Sequence, residues 1–247
     1  MLISCLKADF LKSKRLSIRK AHLIIPLATA VVFTAYYSFS PWDEYNKVDV
    51  YYQVLGMALP FLSGLFCAVV AEQEQAAGNF QLMLGAGSKA APFLSKLLLL
   101  LSFCAGALIM AAVVFGAALR LTLHGEPFGL AFHLLAALLL FACSIPLYLL
   151  HLYLAFGFNK GVSIGLGLVE SLLSALLLTG LGDIIWKYVP AAWPARMTAE
   201  FVAAYTGDMS ARAELAAAGG IVAGVIVLGT AAYLLWASRW EGSKAAD

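Results

Sequence analysis

The sequence predicts an all-α, polytopic membrane protein with six transmembrane helices. Three observations carry that reading. Six long stretches are apolar and almost free of charge; 62% of residues are hydrophobic and 12% charged, with mean hydropathy +0.88; and the basic residues gather on one side of the stretches. The stretches run over residues 22–40, 51–71, 97–119, 131–155, 162–182 and 216–237. Each has about the ~20 residues that carry a helix across a ~30 Å hydrocarbon core. No water is available there, and a helix satisfies its own backbone donors and acceptors. Six spans use most of the 247 residues, so one transmembrane domain over 1–247 is expected, with no segment long enough to bury a separate core.

Residues 1–21 precede the first span. Leu2, Ile3, Leu6 and Phe10 recur at helical spacing, while Lys7, Lys12, Lys14, Arg15 and Arg19 mark a polar side. This predicts an amphipathic helix in the headgroup region of the bilayer. The apolar periodicity weakens after Leu11, which leaves a disordered basic tail as the other reading. The first span reads as a retained helix, because no small-residue cleavage site follows it before Pro41-Trp42-Asp43.

Charge orients the chain. With the N-terminus inside, eleven Lys and Arg flank the spans on the inner side (Lys7, Lys12, Lys14, Arg15, Arg19, Lys20, Lys89, Lys96, Lys160, Arg239, Lys244). Five lie outside: Lys47, Arg120, Lys187, Arg196 and Arg212. The positive-inside rule therefore places both termini in the cytoplasm. Asp43, Glu44, Asp49, Glu126, Asp183, Glu200, Asp208 and Glu214 make the outer side net acidic. Cys5, Cys67, Cys104 and Cys143 avoid the outer loops, so they read as packing residues and not as a disulfide framework.

Within the spans, Pro146 removes a backbone donor and predicts a kink in the fourth, with Ser144 placed to satisfy the freed carbonyl. Gly161-x-x-x-Gly165 and Gly220-x-x-x-Gly224 allow close helix approach, and packing within the chain is expected over a dimer seam. Glu170 stands at the centre of the fifth span. A carboxyl at that depth costs ~2.5 kcal/mol or more and faces a bundle interior or cavity. It is read either as a contact for a cationic peptide or sister subunit, or as a protonated group bonded to Ser171 or Ser174.

Enzymatic signatures are missing. His22, His124, His133 and His151 are dispersed, with no metal-ligand spacing. Leu84-Gly-Ala-Gly-Ser88-Lys89 lacks the spacing of a phosphate loop and follows a helical pattern. No catalytic residue, metal or cofactor is expected in this chain, so ATP and Mg would be bound by another. A membrane enzyme or passive channel needs several polar side chains at one depth, and Glu170 alone meets that description. No nucleic-acid partner is expected.

The second span ends in a polar segment, 72–96. Glu72 and Glu74 leave the span, Gly78 and Phe80 follow, and Leu82-Met83-Leu84 runs into Gly85 and Gly87. One reading is a short helix presenting Phe80, Leu82 and Met83 to a cytoplasmic partner; the other is a solvated connection touching the membrane surface. In the outer segment 183–215, Trp186, Tyr188 and Trp193 with Pro190 and Pro194 read as an interfacial belt, or as a lip handling an amphiphilic peptide beside Asp183.

The Glu72/Glu74/Gly78/Phe80/Met83/Leu84 run, with Ser95-Lys96 beyond it, resembles the coupling-helix region of ABC type-2 exporter permeases. Lys7 to Arg15 is similar to their interfacial elbow helix. Gly182-Asp183-x-x-Trp186-x-x-x-Pro190-x-x-Trp193-x-x-Arg196 resembles the lantibiotic-immunity permeases, as does Arg239-Trp240-Glu241. After Arg196 the chain departs from that pattern by its richness in alanine. The resemblance implies one permease of a complex with a cytoplasmic ABC ATPase dimer and a second related permease, in the bacterial plasma membrane. That complex would expel a lantibiotic from the bilayer and give its producer immunity. Glu72 and Glu74 would orient the coupling helix, with Gly78, Leu82 and Met83 in it and Phe80 as its apolar plug. Asp183, Trp186, Trp193 and Arg196, with Glu170, would lie on the substrate path. The alternative is a type-2 permease exporting a small antibiotic, a lipid or an ion.

Overall fold

A computed structural model describes residues 1–14, 16–122 and 128–242. Arg15, His124, Glu126 and Lys244, named above, lie outside the described residues. The described chain is helical throughout: α1 Leu2–Ser13, α2 Ile18–Tyr37, α3 Glu44–Ala76, α4 Gln81–Leu84, α5 Ala90–Thr122, α6 Leu130–Gly157, α7 Lys160–Leu177, α8 Trp193–Tyr205 and α9 Met209–Arg239. Three single 3₁₀ turns at Gly180–Gly182, Trp186–Tyr188 and Pro190–Ala192 join α7 to α8. Six helices (α2, α3, α5, α6, α7 and α9) are long and apolar enough to cross a membrane.

Local chemistry starts these helices. Asp43 caps α3 by accepting from the Asn46 amide, Asn159 caps α7 through the Val162 amide, and Asp208 caps α9 through the amides of Ser210 and Ala211. The Asn46 amide holds the Asp43 carboxyl below its usual range, and the Ser210 hydroxyl does the same for Asp208. The helices overrun the apolar stretches where polar caps lie beyond them, so α3 and α5 each reach 33 residues. The fifth span is shorter than its apolar run: α7 stops at Leu177, and the 3₁₀ turn at Gly180–Gly182 takes up the remainder.

Alternation along the chain places α1, the α3–α5 connection and the α6–α7 turn at one end, here the basic end. The α2–α3 turn and the α7–α9 segment lie at the far end. Along α3, small residues let backbones meet. A Cβ on Gly56 would stand 2.5 Å from the Ala195 amide nitrogen of α8. One on Gly64 would stand 2.6 Å from the Ser163 carbonyl of α7, and one on Gly167 2.8 Å from the Pro60 carbonyl. Ser171 Oγ accepts the Phe61 amide hydrogen at 3.1 Å, beside Pro60, which interrupts the α3 ladder. These contacts seat α7 and α8 on α3.

The glycine steps read from the sequence do not do this work. Around Gly165, Gly220 and Gly224 a Cβ would meet nothing within 4 Å, and around Gly161 only the Asn159 cap. Those faces turn outward, so the expected packing within the chain is not found there. Ser144 also differs from expectation. Its hydroxyl donates to the Phe141 carbonyl at 2.7 Å, one residue before the Ala142 carbonyl that Pro146 leaves.

Overpacking a backbone contact costs about 1–3 kcal/mol, whereas Gly to Ala in an open helix face gains up to about 1 kcal/mol. Gly56→Ala and Gly167→Ala should therefore lower the melting temperature in micelles, while Gly220→Ala and Gly224→Ala leave it level or raise it. Equal effects from all four would sink the assignment of α3 as the packing axis.

Candidate functional site

The basic end holds a buried cluster of four charges. Lys96, near the start of α5, is 2% exposed, and its ammonium reaches Asp9 Oδ1 at 3.1 Å and Glu74 Oε1 at 3.0 Å. Lys12 donates to the same Glu74 oxygen at 2.7 Å, and Ser95 Oγ donates to Asp9 Oδ2 at 2.5 Å. Two acids face two bases, so the cluster is neutral as a whole. Removing charges from water is tolerated only with this kind of mutual satisfaction. The cluster ties α1 to the end of α3 and the start of α5, the two helices that flank α4.

This changes the reading of residues 1–21. The residues of α1 that bury are Asp9 and Ser13, not the apolar set, and Ile3 and Leu11 stay exposed. Asp9 and Ser13 therefore face the bundle beside Phe10, whose ring packs edge-on against Phe103 of α5 at 5.7 Å, while Ile3 and Leu11 lie on the outer side. Arg19 Nε then donates to Ser13 Oγ at 2.9 Å and fixes the α1–α2 corner. Glu72, by contrast, is half exposed and pairs with Lys160 at the head of α7.

Between Glu74 and α4 the backbone makes a left-handed hook. Gly78, Asn79 and Phe80 have φ of +132°, +48° and +66°. Glycine adopts such angles freely, and asparagine does so more readily than other side chains; for phenylalanine the cost must be offset by its surroundings. The Phe80 ring is buried against Trp240 at 5.3 Å and Phe156 at 5.8 Å, and Phe93 packs on both of those rings at 5.1 Å. The expectation that Phe80 and Met83 face a partner is corrected: both are buried, because the hook turns the chain inward. Leu82, at 70% exposure, is the apolar side chain that α4 leaves open, with Gln81 and Gly85 beside it.

A second polar group lies within the helices. Glu170 Oε2 stands 2.9 Å from His151 Nε2 of α6, and His151 Nδ1 stands 3.3 Å from Ser163 Oγ. The Ser163 hydroxyl is nearer the Gly64 carbonyl, at 3.0 Å. With its hydrogen directed there, Nδ1 carries a hydrogen and donates to Ser163. The Nε2–Oε2 hydrogen bond joins the fourth span to the fifth. The expected serine partners are corrected, since Ser171 is taken by the Phe61 amide and the buried Ser174 Oγ has no hydrogen-bond partner.

At the far end the Gly182–Arg196 segment folds on itself. Arg196 Nε donates to the Leu177 carbonyl at 2.6 Å, and its Nη2 bonds the Thr179 carbonyl and Asp183. Trp193 Nε1 donates to the Lys187 carbonyl at 2.9 Å, and Lys187 pairs with Glu214. Trp186 and Trp193 are each 1% exposed, packed with Leu177, Met197 and Val222, so their rings seal α7 to α9. The exposed apolar surface here includes Leu181, Ile184, Ile185 and Tyr188. Burial pushes the Glu200 carboxyl up from its ordinary range, with Arg196 pulling it back. Asp183, Trp186, Trp193 and Arg196 thus share one knot. Glu170 is separate, seven residues before Leu177, or about 10 Å along the helix.

Breaking one partner of a buried ion pair costs about 3–5 kcal/mol, while an exposed pair is worth under about 1 kcal/mol. Lys96→Met should therefore destabilise strongly in denaturant titration, Glu72→Gln barely, and Lys96→Met with Glu74→Gln less than Lys96→Met alone, because neutrality returns. A double variant at least as destabilised as Lys96→Met alone would refute the closed charge balance.

A family model described as ABC-2 family transporter protein matches residues 5–174, which include most of α1, the charge cluster, the hook and the His151–Glu170 pair. No curated protein and no solved structure matches the chain. With that match covering more than half its length, and with six helices fit to cross a bilayer, the chain belongs to the ABC-2 family of transporters as a membrane permease component.

Proposed function

We propose that this chain is the permease subunit of an ATP-driven exporter that removes a cationic, lantibiotic-type peptide from the bilayer and so protects its producer. Both termini and the basic end face the cytoplasm of a bacterium, with the acidic far end outside. A cytoplasmic ATPase dimer binds ATP and Mg, and a second related permease completes the complex.

One observation carries the coupling part of this reading. α4 leaves Leu82 exposed on a segment held from behind by the Glu74–Lys96–Asp9–Lys12 cluster and by Phe80. A small exposed apolar contact on a rigid mount suits transmission of a push from a partner. Closure of the ATPase dimer would bear on Leu82, and the cluster would pass displacement to α1, α3 and α5 together. Such a seat works as a switch when both sides bias two packed arrangements.

The cargo class rests on the far end. Eight acids against five bases in the outer flanks leave that side a negative surplus even with Asp183 and Glu214 paired to Arg196 and Lys187, which favours a cation leaving the membrane, screened beyond ~8 Å. Exposed Leu181, Ile184 and Tyr188 suit the apolar face of an amphiphilic peptide. Along the path, Glu170 offers a carboxyl that is hydrogen-bonded to His151 at rest.

The test is expression with the ATPase and sister permease in a sensitive bacterium, scored by survival against a cationic lanthionine peptide. Leu82→Asp should lose protection, at least about tenfold in inhibitory concentration, while the complex still co-purifies at normal yield. Unchanged survival in that variant removes the coupling assignment. Protection against a small antibiotic but not the peptide removes the cargo assignment.

A further inference from the structure

α1 carries a groove of about 600 Å³ on the side away from the charge cluster. Ile3, Leu6, Phe10 and Leu11 line it, and so do Lys7 and Lys14, with Arg19 of α2 at its end. Residues 3, 7, 10, 11 and 14 recur at helical spacing, so the two lysines share a face with apolar side chains. The lysines that the sequence sets on one polar side therefore divide. Lys12 turns to Glu74, whereas Lys7 and Lys14 stand among the apolar residues.

Both lysines are exposed, and neither has an ion-pair or hydrogen-bond partner among the described residues. Asp9, the one acid of α1, is taken by Ser95 and Lys96 on the buried side. Arg19 is committed to Ser13 and to the Phe10 carbonyl, so Lys7 and Lys14 are the free cations of the groove. Ile3 at 71% and Leu11 at 62% exposure flank them. Water suits the ammonium groups but not these side chains, and hydrocarbon suits the side chains but leaves two ions unmatched. The headgroup layer meets both demands where an anionic phosphate stands at the lysines and their stems lie along the apolar surface. α2 begins at Ile18, so α1 lies at the level where the spans leave the bilayer. Lys7 and Lys14 are two turns apart, or about 10 Å along the axis, and both flexible stems can converge on one headgroup.

We infer that the outer side of α1 is a binding site for an anionic phospholipid, its phosphate held between Lys7 and Lys14 and its acyl chains against Ile3, Leu6, Phe10 and Leu11. Headgroup placement of an amphipathic helix calls for no particular lipid; two unpaired cations set among apolar side chains do. The site needs neither the cargo nor the ATPase proposed above.

The test is native mass spectrometry of the full chain, released from nanodiscs that hold equal amounts of phosphatidylglycerol and phosphatidylcholine with identical acyl chains. Each lysine is worth about 1 kcal/mol toward an anionic surface, or about fivefold in binding. The unaltered protein should therefore retain phosphatidylglycerol about twenty-five-fold over phosphatidylcholine. Lys7→Gln and Lys14→Gln should each lower that preference about fivefold and together abolish it. Their melting temperatures should not change, because neither side chain has a partner to lose. Lys20→Gln and Arg239→Gln, exposed bases of the same end outside the groove, should keep the full preference. Ile3→Ser with Leu11→Ser should lower retention of both lipids. No preference in the unaltered protein overturns the assignment, as does a preference that survives the double lysine variant. A loss from Lys20→Gln or Arg239→Gln equal to that from Lys7→Gln marks diffuse attraction to the basic end and overturns it too. Undiminished retention by the serine variant does the same.

Discussion

Backbone-to-backbone contact along α3 is the constraint from which the arrangement follows. Within lipid, apolar side chains gain little by leaving the solvent, and close approach of small residues supplies the helix association. Gly56 and Gly64, with Pro60 between them, present a flat strip of α3 to which Gly167 and Ser163 of α7 and the Pro194–Ala195 step of α8 fit. With α7 placed, Ser171 meets the amide beside Pro60 and Glu170 meets His151. With α8 placed, Phe201 stacks on Phe132 at 4.9 Å and Arg196 reaches the end of α7. The same helix carries Glu74 in its last turn, so one element fixes both the far-end knot and the charge cluster.

At the sites described above, charges are handled by pairing. The four-charge cluster is neutral, Glu170 is hydrogen-bonded to His151, and Lys187 and Arg196 are matched by Glu214 and Asp183. This follows from the medium, since an unmatched ion within a bundle costs more than the fold can offset. The consequence for a transporter is that displacement of one helix exposes an imbalance. Paired groups that link different helices therefore mark where motion is resisted.

The six spans and the absence of strands among the described residues were legible in the sequence because the bilayer applies one rule to every segment. The packing partners were not. Gly220 and Gly224 have the same spacing as useful glycines, and only the facing helix distinguishes them from Gly56 and Gly64. Phe80 was read as a plug, yet its direction depends on the sign of φ at three successive residues, which composition does not encode. His151 was missable but not hidden. It lies eight residues before Asn159, and Glu170 eleven after it, in two spans joined by a tight turn. Two polar groups at similar distances from a helical turn are candidates to meet. Asp9 carries no assigned role in the sequence and Lys96 counts there only as a flanking charge, because nothing local says that α1 turns its acid inward.

The Trp240 contact with Phe80 closes a loop between chain regions 160 positions apart. Glu74 holds the beginning of the polypeptide through Lys12 and Lys96, and six residues later Phe80 holds its last helix. A load on the hook is thus delivered to the first and ninth helices at once. Two elements with no sequence proximity are yoked to one bearing only a few residues wide.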